Sequence, residues 1–128
     1  MTAPVSGTIS AAGVGNAVQI NYLDSLSAGL LVEVSGNYQG VLLVFEELLK
    51  GSGWFGQFNV ARDNLFGNLL APGAVSPLVL PDSGNRAFRF QIPAREAFRV
   101  WATSISGGAL NVVLTPGPWP MPLPKYAL

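Results

Sequence analysis

The chain has 128 residues, 49% of them hydrophobic and only 11% charged, with seven basic and seven acidic side chains, no histidine and no cysteine. Without a cationic cluster it cannot clamp a phosphate backbone, so nucleic-acid binding is excluded. Without thiols or imidazoles it has no disulfide, no thiolate metal site and none of the usual general acid–base groups for neutral pH.

The length fits one domain with a single core. An ordinary soluble domain carries roughly 25% charged residues, so this one must expose apolar area or bury it against partners, and self-association is expected. "MTAPVSGTIS" lacks the cationic region and long apolar stretch of a signal peptide. The longest apolar run, "GVLLVF" from Gly40 to Phe45, is too short to span a bilayer. A soluble protein made in the cytoplasm is therefore expected, with no membrane partner.

In chain order, residues 1–16 are small, polar and glycine-rich and read as an N-terminal arm. Residues 17–115 read as the folded domain. Strands are expected at "AVQINY" (Ala17 to Tyr22), "LLVEVS" (Leu30 to Ser35), "QGVLLVFE" (Gln39 to Glu46) and "WFGQFNV" (Trp54 to Val60). A weaker extended piece follows at "AVSPLVL" (Ala74 to Leu80), then "AFRFQI" (Ala87 to Ile92), "FRVWATS" (Phe98 to Ser104) and "ALNVVLT" (Ala109 to Thr115). Turns fall at "SGNY", "GSG", "PDSGN" and "SGG", where Gly and Asn tolerate positive φ. "VFEELLK" lies between Gly40 and Gly51 and reads as a strand running into a turn.

Short alternating strands separated by turns predict an all-β fold, an antiparallel β-sandwich or jelly-roll-like single domain with extended arms at both ends. The sharpest local pattern, Phe98 to Pro116, reads as a hairpin. In it Phe98, Val100 and Ala102 face one way, and Arg99, Trp101 and Thr103 the other. Trp101 on the polar side is unusual, and needs either a covering loop or a neighbouring chain.

Residues 116–128 form the C-terminal arm. From Thr115 onward five prolines in fourteen residues alternate with Trp119, Met121, Leu123 and Tyr126. Such a segment favours extended polyproline geometry over a sheet strand. Its large apolar side chains, together with Arg99 and Trp101, are the candidate interaction residues.

Catalytic and metal readings are weak. The carboxylates are Asp24, Glu33, Glu46, Glu47, Asp63, Asp82 and Glu96. Glu46 and Glu47 are adjacent and point to opposite faces of a strand. Glu33 and Glu46 could meet across neighbouring strands as a glycosidase pair, or be two solvated strand carboxylates. Asp24, Asp63 and Asn64 lack the spacing of a calcium loop, and "DSGN" reads as a turn in which Asp82 bonds its own backbone. "GSGWFG" has no Walker lysine. No catalytic residue, metal or cofactor is assigned. Trp54, Phe55 and Trp101 could stack on sugars, but core or interface roles are the usual ones for such rings.

From Val34 to Pro118 the order of segments resembles tailed-bacteriophage virion proteins. It runs "VSGNYQGVLLVFE", a loop delivering Gly53 and Trp54, "VARDN", "LVLPDSGNRAFRFQIPA" and "FRVWATSISGGALNVVLTPGP". Gly36, Tyr38, Gly40, Phe45, Glu46, Trp54, Arg99, Ser106 and Gly107 occupy the matching positions. "ELLKGSGW" is more apolar than the usual charged loop. The resemblance implies a sandwich or jelly-roll unit of the virion without enzymatic activity. The use implied most closely is a capsid cement or decoration protein, a homotrimer tying the major capsid protein together by its arms. The alternative is a tail, baseplate or head-fibre module that recognises a host or its carbohydrate.

Overall fold

The computed structural model describes residues 4–21, 29–49, 53–58, 68–72, 77–90 and 97–117. They form ten strands: β1 (Val5–Ile9), β2 (Val18–Asn21), β3 (Gly29–Gln39), β4 (Leu42–Leu49), β5 (Gly53–Phe58), β6 (Asn68–Pro72), β7 (Leu78–Val79), β8 (Arg86–Phe90), β9 (Ala97–Ser104) and β10 (Gly107–Gly117). A single 3-10 turn at Val14–Asn16 precedes β2. The smaller sheet has the order β1-β10-β3-β8; the larger is β2-β9-β4-β5-β6, with β7 beside the start of β4. Every pairing is antiparallel.

The pairings nest. β1 pairs with β10, β2 with β9, β3 with β8 and β4 with β5. The chain is thus one long antiparallel ribbon whose tip is β4–β5, rolled until β10 meets β3 and β9 meets β4. That is the winding of a jelly roll, and the expected all-β sandwich is the fold observed.

Rolling explains the main departure from the sequence reading. β9 and β10 do not form a hairpin: β9 lies in the larger sheet and β10 in the smaller one. The turn between them carries the chain across the core. The alternation of Phe98, Val100 and Ala102 is kept, because it reports which face is buried and not which strand is the neighbour.

Two strands were not expected. Val5–Ile9, placed by its small polar residues in an arm, forms the edge strand β1 against Val112–Leu114 and their neighbours. Gly7 lets it lie close over β2, since a Cβ there would come within 2.9 Å of Val18 Cγ2. Asn68–Pro72 forms β6 at the far edge of the larger sheet. At the other end, Pro116 and Gly117 continue β10 opposite Leu30 and Gly29, so the strand runs into the stretch assigned to the C-terminal arm. Proline is tolerated there because β1 begins opposite Leu114 and needs no N–H from Pro116.

The core lies between the sheets. Val32, Phe88, Leu110, Val112 and Leu114 from the smaller sheet meet Ile20, Leu43, Phe45, Phe98 and Val100 from the larger, all at most 2% exposed. Phe45 joins the layers, with its ring centroid 5.3 Å from that of Phe88 and 6.4 Å from that of Phe98. Tilted ring pairs of this kind add about 0.5–1.5 kcal/mol beyond their burial.

Candidate functional site

β9 and β4 run side by side with Arg99 opposite Glu46 and Trp101 opposite Val44. Because side chains alternate, all four point to the outer face of the larger sheet. Glu46 Oε1 accepts the Nε–H of Arg99 at 2.7 Å and the indole Nε1–H of Trp101 at 2.6 Å. On the β5 side, the Arg99 guanidinium stands 3.9 Å over the Trp54 ring. Four side chains from three strands therefore form one cluster.

This outer face is not bare. Val44 is fully buried, Ala97 is buried, and Glu46 is 3% exposed. A buried carboxylate needs its charge and lone pairs matched, and Arg99 with Trp101 supplies both. The cluster thus fixes the rotamers of Arg99, Trp101 and Trp54 on a partly exposed face. Tryptophan and arginine so held are the residue types that dominate binding at protein interfaces.

A second cluster closes one end of the roll. The β3–β4 corner at Gly36–Val41 is clasped by two loops. From one loop, the backbone N–H of Ser83 donates to Tyr38 O at 2.9 Å, that of Gly84 to Gly36 O at 3.2 Å, and that of Leu80 to Val41 O at 3.0 Å. The buried Tyr38 hydroxyl returns a bond to Gly84 O at 3.3 Å. From the other loop, Ser106 donates to Gln39 O through its backbone N–H at 2.9 Å and its hydroxyl at 3.1 Å. Ser104 Oγ donates to Gly40 O at 3.0 Å. Asp82 does not bond its own turn; its Oδ1 accepts the N–H of Gly40 at 3.1 Å.

These two clusters absorb the residues that carry the virion-protein pattern. Gly36, Tyr38, Gly40, Ser106 and Gly107 belong to the corner; Glu46, Trp54 and Arg99 belong to the outer-face cluster; Phe45 sits in the core. The pattern therefore records how the roll is closed and braced.

Of the residues singled out from sequence, Arg99 and Trp101 come together, and Glu46 and Trp54 join them. Trp119, Met121, Leu123 and Tyr126 lie outside the described residues, as do Asp24, Asp63, Asn64 and Glu96. Glu33 and Glu46 do not meet. Glu33 is exposed on the outer side of the smaller sheet, while Glu46 is on the outer side of the larger, with the whole sandwich between them. Nor is Glu46 a solvated strand carboxylate. Glu47 points to the opposite face, as adjacent strand residues must. No group of three or more acidic residues placed to hold a metal occurs among the described residues.

No known family matches the chain, and no curated protein does. Solved structures do. The prophage-derived protein YomS from SPBc2 superposes with a TM-score of 0.52 at 12% identity, covering 91% of this chain and 97% of that one. At that identity the likeness is one of fold. The enzymatically active domain of tailspike protein 4 from bacteriophage CBA120 gives a TM-score of 0.44 at 14% identity, with 91% of this chain spanning 18% of that one.

Proposed function

We propose that this chain is a structural subunit of a phage particle, without enzymatic activity, that acts on the capsid as a cement protein. Its partners are other copies of itself, as a homotrimer, and the major capsid protein. The observation that supports the reading is where β1 begins and β10 ends. β1 starts opposite Leu114, and β10 ends at Gly117, three residues further on. At about 3.4 Å per residue, the two points lie roughly 10 Å apart along one edge of the smaller sheet. The chain therefore enters β1 and leaves β10 at the same end of the smaller sheet, the placement that a subunit tied down by arms at both ends requires. Trp119, Met121, Leu123 and Tyr126 on the second segment are the anchors, and its prolines reduce the entropy lost on docking.

The outer-face cluster supports a bracing role over stacking on sugar. Glu46 already engages Arg99 and Trp101, and Arg99 covers one face of Trp54. A test combines light scattering with co-sedimentation against purified capsids and, separately, purified tails. A trimer that sediments with capsids supports the proposal. A monomer that ignores capsids, or a protein that sediments only with tails, overturns it.

A further inference from the structure

The two sheets turn unlike faces outward. On the smaller sheet, Ser6 and Thr8 of β1, Glu33 of β3 and Asn111 of β10 are exposed, a polar face suited to water. On the larger sheet, the charged side chains among the described outer-face residues are Glu46 and Arg99, and they are joined to each other. Around them stand Leu42, Leu48, Trp54, Trp101 and Thr103, all half-buried. Gln19 and Asn21 of the edge strand β2 give this face a polar rim and are themselves bonded, Gln19 Nε2 donating to Asn21 Oδ1 at 2.8 Å.

The exposed large hydrophobic residues belong to the same sheet. Among the described residues they are Val79, 70% exposed, and Val14, 47% exposed. Val79 lies opposite Leu42 on β7. The Gly13 N–H donates to Ala102 O at 2.8 Å, which sets the Val14–Asn16 turn beside the same end of β9. At that end the turn, β9, β4 and β7 stand in a row, so the two valines bracket Thr103 and Leu42. Single exposed apolar residues need no explanation, but a band of them across one face does.

We infer that the outer face of the larger sheet is the surface at which copies of this chain associate. This gives the self-association proposed above its surface and rests on that reading, though not on the capsid. The face offers no unpaired charge, so a strongly charged partner gains nothing from it. A second copy brings an equally neutral surface and no like-charge repulsion. Arg99, Trp101 and Trp54 are already held by Glu46 and by one another, so little side-chain freedom is lost on contact. Five strands at about 4.8 Å, and the seven residues Leu42–Leu48 at about 3.4 Å, span about 24 Å each way. That is roughly 580 Å² per copy before side-chain relief, of the order of the ~800 Å² per partner in a standard interface.

The test is light scattering of the full chain over a concentration series, without capsids. The unsubstituted protein should be an oligomer at high concentration. Val79→Lys and Val14→Lys should each raise the dissociation constant about tenfold or more, by setting a charge in the contact. Both positions are exposed, and lysine is common on edge strands, so the fold should persist, which circular dichroism checks. Ser6→Lys, the same charge on the other sheet, should change nothing. A wild-type monomer at every concentration overturns the inference together with the proposed homotrimer. An oligomer indifferent to Val79→Lys and Val14→Lys, or broken equally by Ser6→Lys, overturns the inference alone and leaves the homotrimer standing. Should a variant unfold, hydrogen exchange of the unsubstituted protein decides. Protection at residues 13–16 and 78–79 rises with concentration if this face is the contact, and protection that stays flat overturns the inference.

Discussion

Glu46 and Arg99 form an ion pair on the outside of a sheet that behaves like one in a core: Nε and Oε1 are 2.7 Å apart, and the side chains are 18% and 4% exposed. The carboxylate also holds the Trp101 indole. Removing one member of such a pair leaves the other charged and poorly hydrated, which costs more than the pair contributes. Glu46→Ala should therefore lower unfolding stability by about 3 kcal/mol. Adding Arg99→Met to it should cost less than the sum of the two single changes, with a coupling of about 1–3 kcal/mol by urea denaturation. Additive losses would show that the bond does not operate in solution. Trp54→Leu tests the stacked ring alone and should cost about 0.5–1 kcal/mol.

Gly108 is where the corner is tightest. Its φ is +72°, and a Cβ there would overlap the Asn37 carbonyl on the paired strand. Strain and overlap act together, so Gly108→Ala should destabilise by about 3 kcal/mol or more. Gly15 is the contrast. It has open space around it and no positive φ, so Gly15→Ala should stabilise by about 0.5 kcal/mol through the unfolded chain. Thermal unfolding of the two variants in one buffer checks both signs.

How much of this was legible in the sequence depends on what each pattern reports. Alternation along Phe98 to Ser104 gave the buried and exposed faces of β9 correctly, because a strand's two faces depend only on its own residues. It was silent on partners, and so a connection between sheets read as a hairpin. β1 was missed because Ser6 and Gly7 interrupt the β-branched Val5, Thr8 and Ile9; its place comes from the open edge of β10 and the backbone room over Val18. Arg99 and Trp101 stood out as large residues on a polar face. Glu46 looked solvated, since burial by side chains of the neighbouring strands, which are far away in sequence, leaves no mark in local spacing. The signal that was available was the outward set Val44, Glu46, Arg99 and Trp101, which holds one acid, one base and one indole donor.

Asp82 ties the loop before β8 to the β3–β4 corner through the N–H of Gly40, across 42 residues of sequence. Asp82→Ala should cost about 1 kcal/mol, and Asp82→Asn, which keeps an acceptor oxygen, much less. Because Ser104 and Ser106 bind the same corner from the other loop, Ser106→Ala combined with Asp82→Ala should loosen it more than either change alone. Hydrogen exchange at the Gly40 and Ser106 amides reads this locally. Protection unchanged in the double variant would contradict the clasp.

The end of β10 sets where the fold stops and an arm can begin. Pro116 is buried and pairs with Leu30, and Gly117 pairs with Gly29. A chain cut after Gly117 keeps every described pairing and should unfold within about 0.5 kcal/mol of the full protein. A chain cut after Leu114 loses the pairing of residues 115–117 and uncovers Leu30, which is 1% exposed. Its expected loss is about 2 kcal/mol, the scale of re-exposing one core side chain. Comparing the first truncation with the full chain on capsids then isolates Trp119, Met121, Leu123 and Tyr126 from any effect on folding. The truncated protein should stay folded and fail to load. Loading at full occupancy would remove the anchor role from these four residues and leave Arg99, Trp101 and Trp54 as the surface to test next.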